Sequence, residues 1–249
     1  MTTRPWEPPN AAGWRALGAT MHVPDGALLA SMVEWQPCFR IIASEYAGEN
    51  LFDRLTGTAD DSWGSADVDA LRDIADLTNP STEHSAEHTA RVRPEDRVYG
   101  PGSGLIMAAF AFPGRPSRFS DGTSGVYYAA RSRETAIAET CYHEARMLRG
   151  SGPCVTEKTV IEAALVADLV DIRGTHPAPA GVYDPINYAV GQQFGALIRQ
   201  LDGDGIVYDA VRIPRGECVA VFRPRGLSNA RPVAALRYHW DGSAVARVT

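Results

Sequence analysis

Apolar positions fall into different periods along this chain. ALLASMVEW, Ala27 to Trp35, follows a stretch holding Pro5, Pro8 and Pro9 without periodicity, and predicts a short helix at the end of an N-terminal extension, residues 1–35. The domain proper, residues 36–249, is expected to begin near Cys38, where FRIIAS supplies a short β-rich run. EYAGENLFDRL reads as a loop and a turn of helix. VDALRDIADLTN places Val68, Leu71, Ile74 and Ala75 at helical spacing, and HSAEHTARVRPEDR reads as exposed loop. LIMAAFAF, Leu105 to Phe112, is continuously apolar, which periodicity leaves open between buried helix and strand.

GVYYAA then alternates, with Val126, Tyr128 and Ala130 on one face and Tyr127 and Ala129 on the other. Ser132 suits the N-cap of a following helix, and Glu134 in its first turn suits the helix dipole. On that helix Ile137, Ala138, Cys141, Tyr142, Ala145 and Leu148 form an apolar stripe, and Glu139 falls outside it. Farther on, VIEAALVADLVDIRG ends in a strand, and DPINYAVGQQFGALIRQL predicts a helix with Asp184 as cap and Pro185 at its first position. GIVYDAVR and CVAVFRP are two strands about a turn, and PVAALRYHW with SAVARV makes a closing hairpin around Asp241–Gly242. Short strands mixed with non-alternating helices give an α+β fold. No G-x-G-x-x-G follows a strand, so a Rossmann site is not supported.

Composition narrows the function classes. A chain of 249 residues with 45% apolar content buries a sizeable core, and its formal net charge of −6 argues against direct nucleic-acid binding. No apolar run reaches the roughly 18 residues of a membrane span, and MTTRPWEPPN lacks the regions of a signal peptide, so a cytoplasmic address without membrane contact is expected. No metal is expected: the four cysteines form no C-x-x-C pair, Cys141 and His143 point to different helix faces, and His84 and His88 have no third ligand in sight. Lys158 is the one lysine; every other basic residue is arginine, which suits bidentate capture of phosphate and also follows from compositional bias.

RFSDGTSGVYYAARSRETAIAE resembles the central motif of the RES-domain family, the toxin component of bacterial RES/Xre toxin–antitoxin pairs. GIVYDAVRIPRGECVAVFRP resembles that family's C-terminal motif, and FRIIAS its early arginine-bearing strand, in the same order over Cys38 to Gly226. The resemblance implies a split β-sheet with flanking helices, similar to ADP-ribosyltransferase toxins, with a cleft that binds NAD. It implies a type II toxin that depletes NAD by cleaving the nicotinamide–ribose bond, with NAD as substrate and inorganic phosphate as acceptor (an NAD phosphorylase), held in check by a cognate Xre-type helix-turn-helix antitoxin. The alternatives are a mono-ADP-ribosyltransferase acting on a protein and, in another class, an inactive ligand-binding or interaction module.

The family's arginines carry over onto Arg40 and Arg118, its tyrosine onto Tyr128 or its neighbour Tyr127, and its glutamate onto Glu139. The resemblance makes Glu139, Arg118 and Tyr128 the catalytic set, with Arg40 and Tyr127 as binding residues; Ser120 joins them as a binding candidate, and Arg212, on the strand face of Tyr208 and Ala210, is either a ligand contact or a structural ion-pair partner. Nicotinamide leaves as a neutral molecule, so one carboxylate that meets the developing ribose cation suffices. The chain departs from the family at Ala210, where a serine is usual; losing a hydrogen bond to a charged group there costs about 1.5 to 3 kcal/mol of binding. Asp209 or Ser120 are the candidates to compensate. From periodicity alone Glu139 is a surface carboxylate; only the family context turns it toward a cleft.

Overall fold

The structure is a computed structural model that describes residues 3–9, 28–46, 91–111 and 115–249. The predicted segments at 50–90, with His84 and His88, lie outside the described residues.

The longest ladder is built from two strands, β2 (Leu29–Ala43) and β4 (Cys154–Asp171), paired antiparallel from Leu29↔Asp171 to Ala43↔Lys158. β2 is longer than FRIIAS, and residues 29–35 of the helix predicted over Ala27–Trp35 belong to this strand, which runs unbroken across positions 35 and 36. Pairing with β4 overrides the helical propensity of its Ala and Leu residues. The ladder slips between Trp35 and Cys38, around Pro37, which has no N–H to donate. The slip changes face parity: Val33 and Trp35 share a cluster with Cys38 and Ile42, whereas Phe39 and Ile41 pack elsewhere. In β4 the odd residues Ile161 to Leu169 fill one cluster, and Val160 and Val170 face the other way.

Three further strands extend this sheet. β1 (Thr3–Pro5) pairs with β2; beyond β4 lie β7 (Leu227–Trp240) and β8 (Val245–Val248), the closing hairpin expected from sequence. A second group holds β3 (Tyr127–Ala130), β6 (Glu217–Val221) and β5 (Gly205–Asp209), all antiparallel. The groups meet at two thin seams, a single residue pair Phe39↔Ala130 between β2 and β3, and two parallel pairs, Val170↔Ile206 and Asp171↔Val207, between β4 and β5. The result is α+β with one eight-stranded pairing network divided in two.

Three α-helices flank it among the described residues. LIMAAFAF resolves as helix, α1 (Ser103–Ala111), burying Ile106, Phe110 and Ala111. α2 (Arg133–Met147) starts as expected, with the Ser132 hydroxyl accepting the Thr135 N–H at 3.2 Å. α3 (Ala189–Gln200) begins later than Pro185: Asp184 accepts the N–H groups of Ile186 and Asn187, but in a turn ahead of the helix. Gly191 and Gly195 let α3 lie directly on the chain that carries Arg118. A Cβ at either position would fall 2.3 Å from the Arg118 carbonyl oxygen and 2.2 Å from that of Phe119, respectively.

Candidate active site

β3 sorts its side chains as the alternation predicts: Tyr128 and Ala130 pack on one side, Tyr127 and Ala129 on the other. A cleft of about 790 Å³ opens over the Phe39↔Ala130 seam, between β2, β3, α2 and the segment Arg115–Arg118. That volume is within the range of small-molecule sites.

Glu139, Arg118, Tyr128 and Arg40 all line this cleft. Glu139 turns one oxygen, Oε1, toward the β5–β6 loop, where it accepts the N–H of Val211 at 2.8 Å and of Arg212 at 3.1 Å. Arg118 is 7% exposed; it donates through Nη1 to the carbonyls of Val182 and Asp184, each at 3.0 Å, and lies 4.7 Å from the Tyr188 ring centre. Arg40 donates to the Tyr128 carbonyl at 3.4 Å and sits 4.7 Å above the Tyr127 ring, its pKa lowered by burial. The Tyr128 hydroxyl bonds the Ser117 hydroxyl and accepts the Phe119 N–H, both at 2.9 Å, which braces the turn bearing Arg118.

The other three binding candidates lie elsewhere. Tyr127 is fully buried on the opposite face of β3, so of the two tyrosines Tyr128 is the one in the cleft. Ser120 is 4% exposed, donates to the Ser124 carbonyl at 2.6 Å and accepts the Gly122 N–H, the work of a turn residue. Arg212 brings its backbone to Glu139, while its guanidinium stacks on Tyr142 and donates to the Pro185 carbonyl. Ala210 is absent from the cleft wall; it packs against an apolar cluster, and its N–H bonds the Gly216 carbonyl.

Sequence reasoning missed Arg115, His143, Arg146 and Tyr188, which complete the wall. A signal existed for two of them: Glu139, His143 and Arg146 follow one another at i, i+4 and i+7 on α2, a polar face beside the apolar stripe. The His143 imidazole is held below its ordinary value by desolvation in the cleft and by the guanidiniums of Arg212, Arg146 and Arg118. Cys218, which also lines the cleft, has its thiol pushed up by burial and by the Glu139 carboxylate.

Electrostatically the cleft sets four guanidiniums, those of Arg40, Arg115, Arg118 and Arg146, against one carboxylate. None of the ion pairs among the described residues uses any of these five groups. An arginine-rich cleft beside a backbone-anchored carboxylate, with an aromatic wall, has the charge and donors that suit anionic groups.

The family comparison covers the central and C-terminal motifs and leaves FRIIAS outside its range. The RES domain profile matches residues 90–241, more than half of the chain, and the chain belongs to that family. Among solved structures, a chain in the MbcT–MbcA toxin–antitoxin complex of M. tuberculosis is similar at 11% identity, covering 82% of this chain and 87% of that one, with a TM-score of 0.39. At that level the likeness assigns no residue and no activity. No curated protein matches the chain.

Proposed function

We propose that this protein is the toxin of a type II toxin–antitoxin pair, acting in the cytoplasm to deplete NAD by cleaving the nicotinamide–ribose bond, with inorganic phosphate as acceptor. Membership of the RES family supports the NAD reading. The observation that carries it is the cleft itself, lined by four arginines that enter no ion pair among the described residues and by a single backbone-anchored carboxylate, in a chain of net charge −6.

In this reading the NAD pyrophosphate lies among the guanidiniums, which suit bidentate capture of phosphate oxygens. The Tyr128 and Tyr188 rings offer apolar walls against which nicotinamide or adenine packs. As the bond to nicotinamide breaks, its electron pair leaves with the ring and positive charge grows on the ribose. Glu139 faces that charge with the oxygen that the backbone amides leave free, already oriented before the reaction starts. A phosphate oxygen then attacks the ribose carbon, giving ADP-ribose phosphate and nicotinamide.

The test is incubation of the purified protein with NAD, with and without phosphate, and identification of products by mass. ADP-ribose phosphate formed only with phosphate is the expected result. Free ADP-ribose would move the acceptor to water, and labelled protein would move it to a protein side chain. Unchanged NAD beside an active control overturns the enzyme reading.

A further inference from the structure

Glu139 owes its orientation to backbone rather than to a basic side chain, and the amides that hold it come from a connecting segment, residues 210–216, between β5 and β6. Something must hold that segment against α2. Arg212 lies on it, with its guanidinium carbon 3.2 Å from the centre of the Tyr142 ring. Tyr142 is on α2, three residues beyond Glu139, so the ring and the carboxylate move together. Arg212 Nη2 donates to the carbonyl of Pro185, and the Tyr142 hydroxyl donates to the same oxygen at 3.1 Å. One carbonyl thereby ties the β5–β6 segment, α2 and the stretch leading into α3.

We infer that Arg212 and Tyr142 are positioning residues: together they clasp the β5–β6 segment to α2 so that the Val211 and Arg212 amides fix the Glu139 carboxylate toward the cleft. This rests on the reading of Glu139 as the carboxylate that meets the ribose cation. The disposition of Arg212 fits the clasp and not a substrate contact. One face of its guanidinium is covered by Tyr142, one amino group is committed to Pro185, its Nε is shut off from solvent, and the residue is absent from the cleft wall. The energetic logic is that a carboxylate held before the reaction does not spend transition-state stabilisation on reorganising.

The experiment pairs steady-state kinetics on NAD with amide hydrogen exchange read by NMR at positions 211 and 212. Arg212→Ala is expected to lower kcat about tenfold or more with KM within about twofold, and to speed exchange of both amides. Arg212→Lys should restore little, because an ammonium lacks the flat face that stacks on Tyr142. Tyr142→Phe keeps the stack and loses one bond to Pro185, so its exchange and kcat should fall between wild type and Arg212→Ala; it also serves if Arg212→Ala does not fold. A raised KM with intact kcat would make Arg212 a substrate contact and overturn the clasp, as would unchanged exchange at both amides. An inactive wild type whose amides still loosen in Arg212→Ala and Tyr142→Phe would instead sink the reading of Glu139 and leave the clasp standing.

Discussion

Glu139 divides its two oxygens between jobs. Oε1 accepts two backbone N–H groups, and in the proposed reaction the other oxygen is the one that meets the ribose cation. Glutamine in its place offers the same carbonyl oxygen to Val211 and Arg212 and replaces the free anionic oxygen with an amide. Glu139→Gln is therefore expected to keep the thermal midpoint within a few degrees while lowering kcat on NAD by roughly 10² to 10³, the scale of losing one preorganised electrostatic contact. Differential scanning calorimetry alongside turnover checks both halves, and an equally active variant removes Glu139 from the chemistry. The same residue shows what sequence alone could reach. Its place off the apolar stripe was legible, but whether it met solvent or a cleft depended on the turn at Val211–Arg212, far along the chain and without a local signal. Ser120, a candidate to stand in for the serine missing at Ala210, donates to the Ser124 carbonyl and accepts the Gly122 N–H, contacts that the sequence did not signal.

At the scale of elements, α2 is fastened to the sheet by polar contacts beneath its active face. Glu144 and Lys158 pair at 2.7 Å, with side chains 7% and 11% exposed, and Thr140 meets the Tyr238 hydroxyl at 2.7 Å. Removing only one partner of a buried pair strands the other charge, so Lys158→Met should destabilise by about 3 to 5 kcal/mol, and Lys158→Met with Glu144→Leu should recover most of it. Urea denaturation of the two variants decides; equal loss in both would show that the pair matters through shape alone. A second fastening joins the end of β4 to the start of β2, where Asp171 accepts the Ser31 hydroxyl at 2.7 Å and pairs with Arg173 at 2.6 Å. Burial by itself would raise the Asp171 pKa, but the hydrogen bonds from Arg173 and Ser31 outweigh it and bring the carboxyl from 3.8 down to about 2. A depressed carboxyl contributes stability above its unfolded pKa, and that contribution is lost as pH falls from about 4 through 2. Its size is about 2 kcal/mol. Stability measured against pH should fall across that window, with a shallower slope in Asp171→Asn. Elements with local signals were legible: the β3 alternation, the Ser132 cap and the final hairpin. β2 was half legible, because FRIIAS carries β-branched residues while ALLASMVEW owes its strand to a partner more than a hundred residues away.

The whole molecule sets a cationic cleft within an acidic chain, and this arrangement makes its own prediction. On the proposed NAD reading, a net charge of −6 repels the dinucleotide at long range, whereas the arginines of the cleft attract it at short range. Salt screens charges separated by more than about 10 Å at 0.1 M, and screens the exposed guanidiniums of Arg115 and Arg146 more than the buried one of Arg118. If arginine–phosphate contacts hold the substrate before and during bond breaking alike, added salt weakens binding without touching the chemical step. The KM for NAD should then rise several-fold, about threefold or more, between roughly 50 and 500 mM sodium chloride, with kcat constant. Arg115→Gln and Arg146→Gln should each raise KM at low salt and flatten that dependence, since each removes a charge that salt would otherwise screen. A KM indifferent to salt in the wild type would mean that the guanidiniums do not carry the substrate, and that the cleft recognises its ligand through its aromatic walls instead.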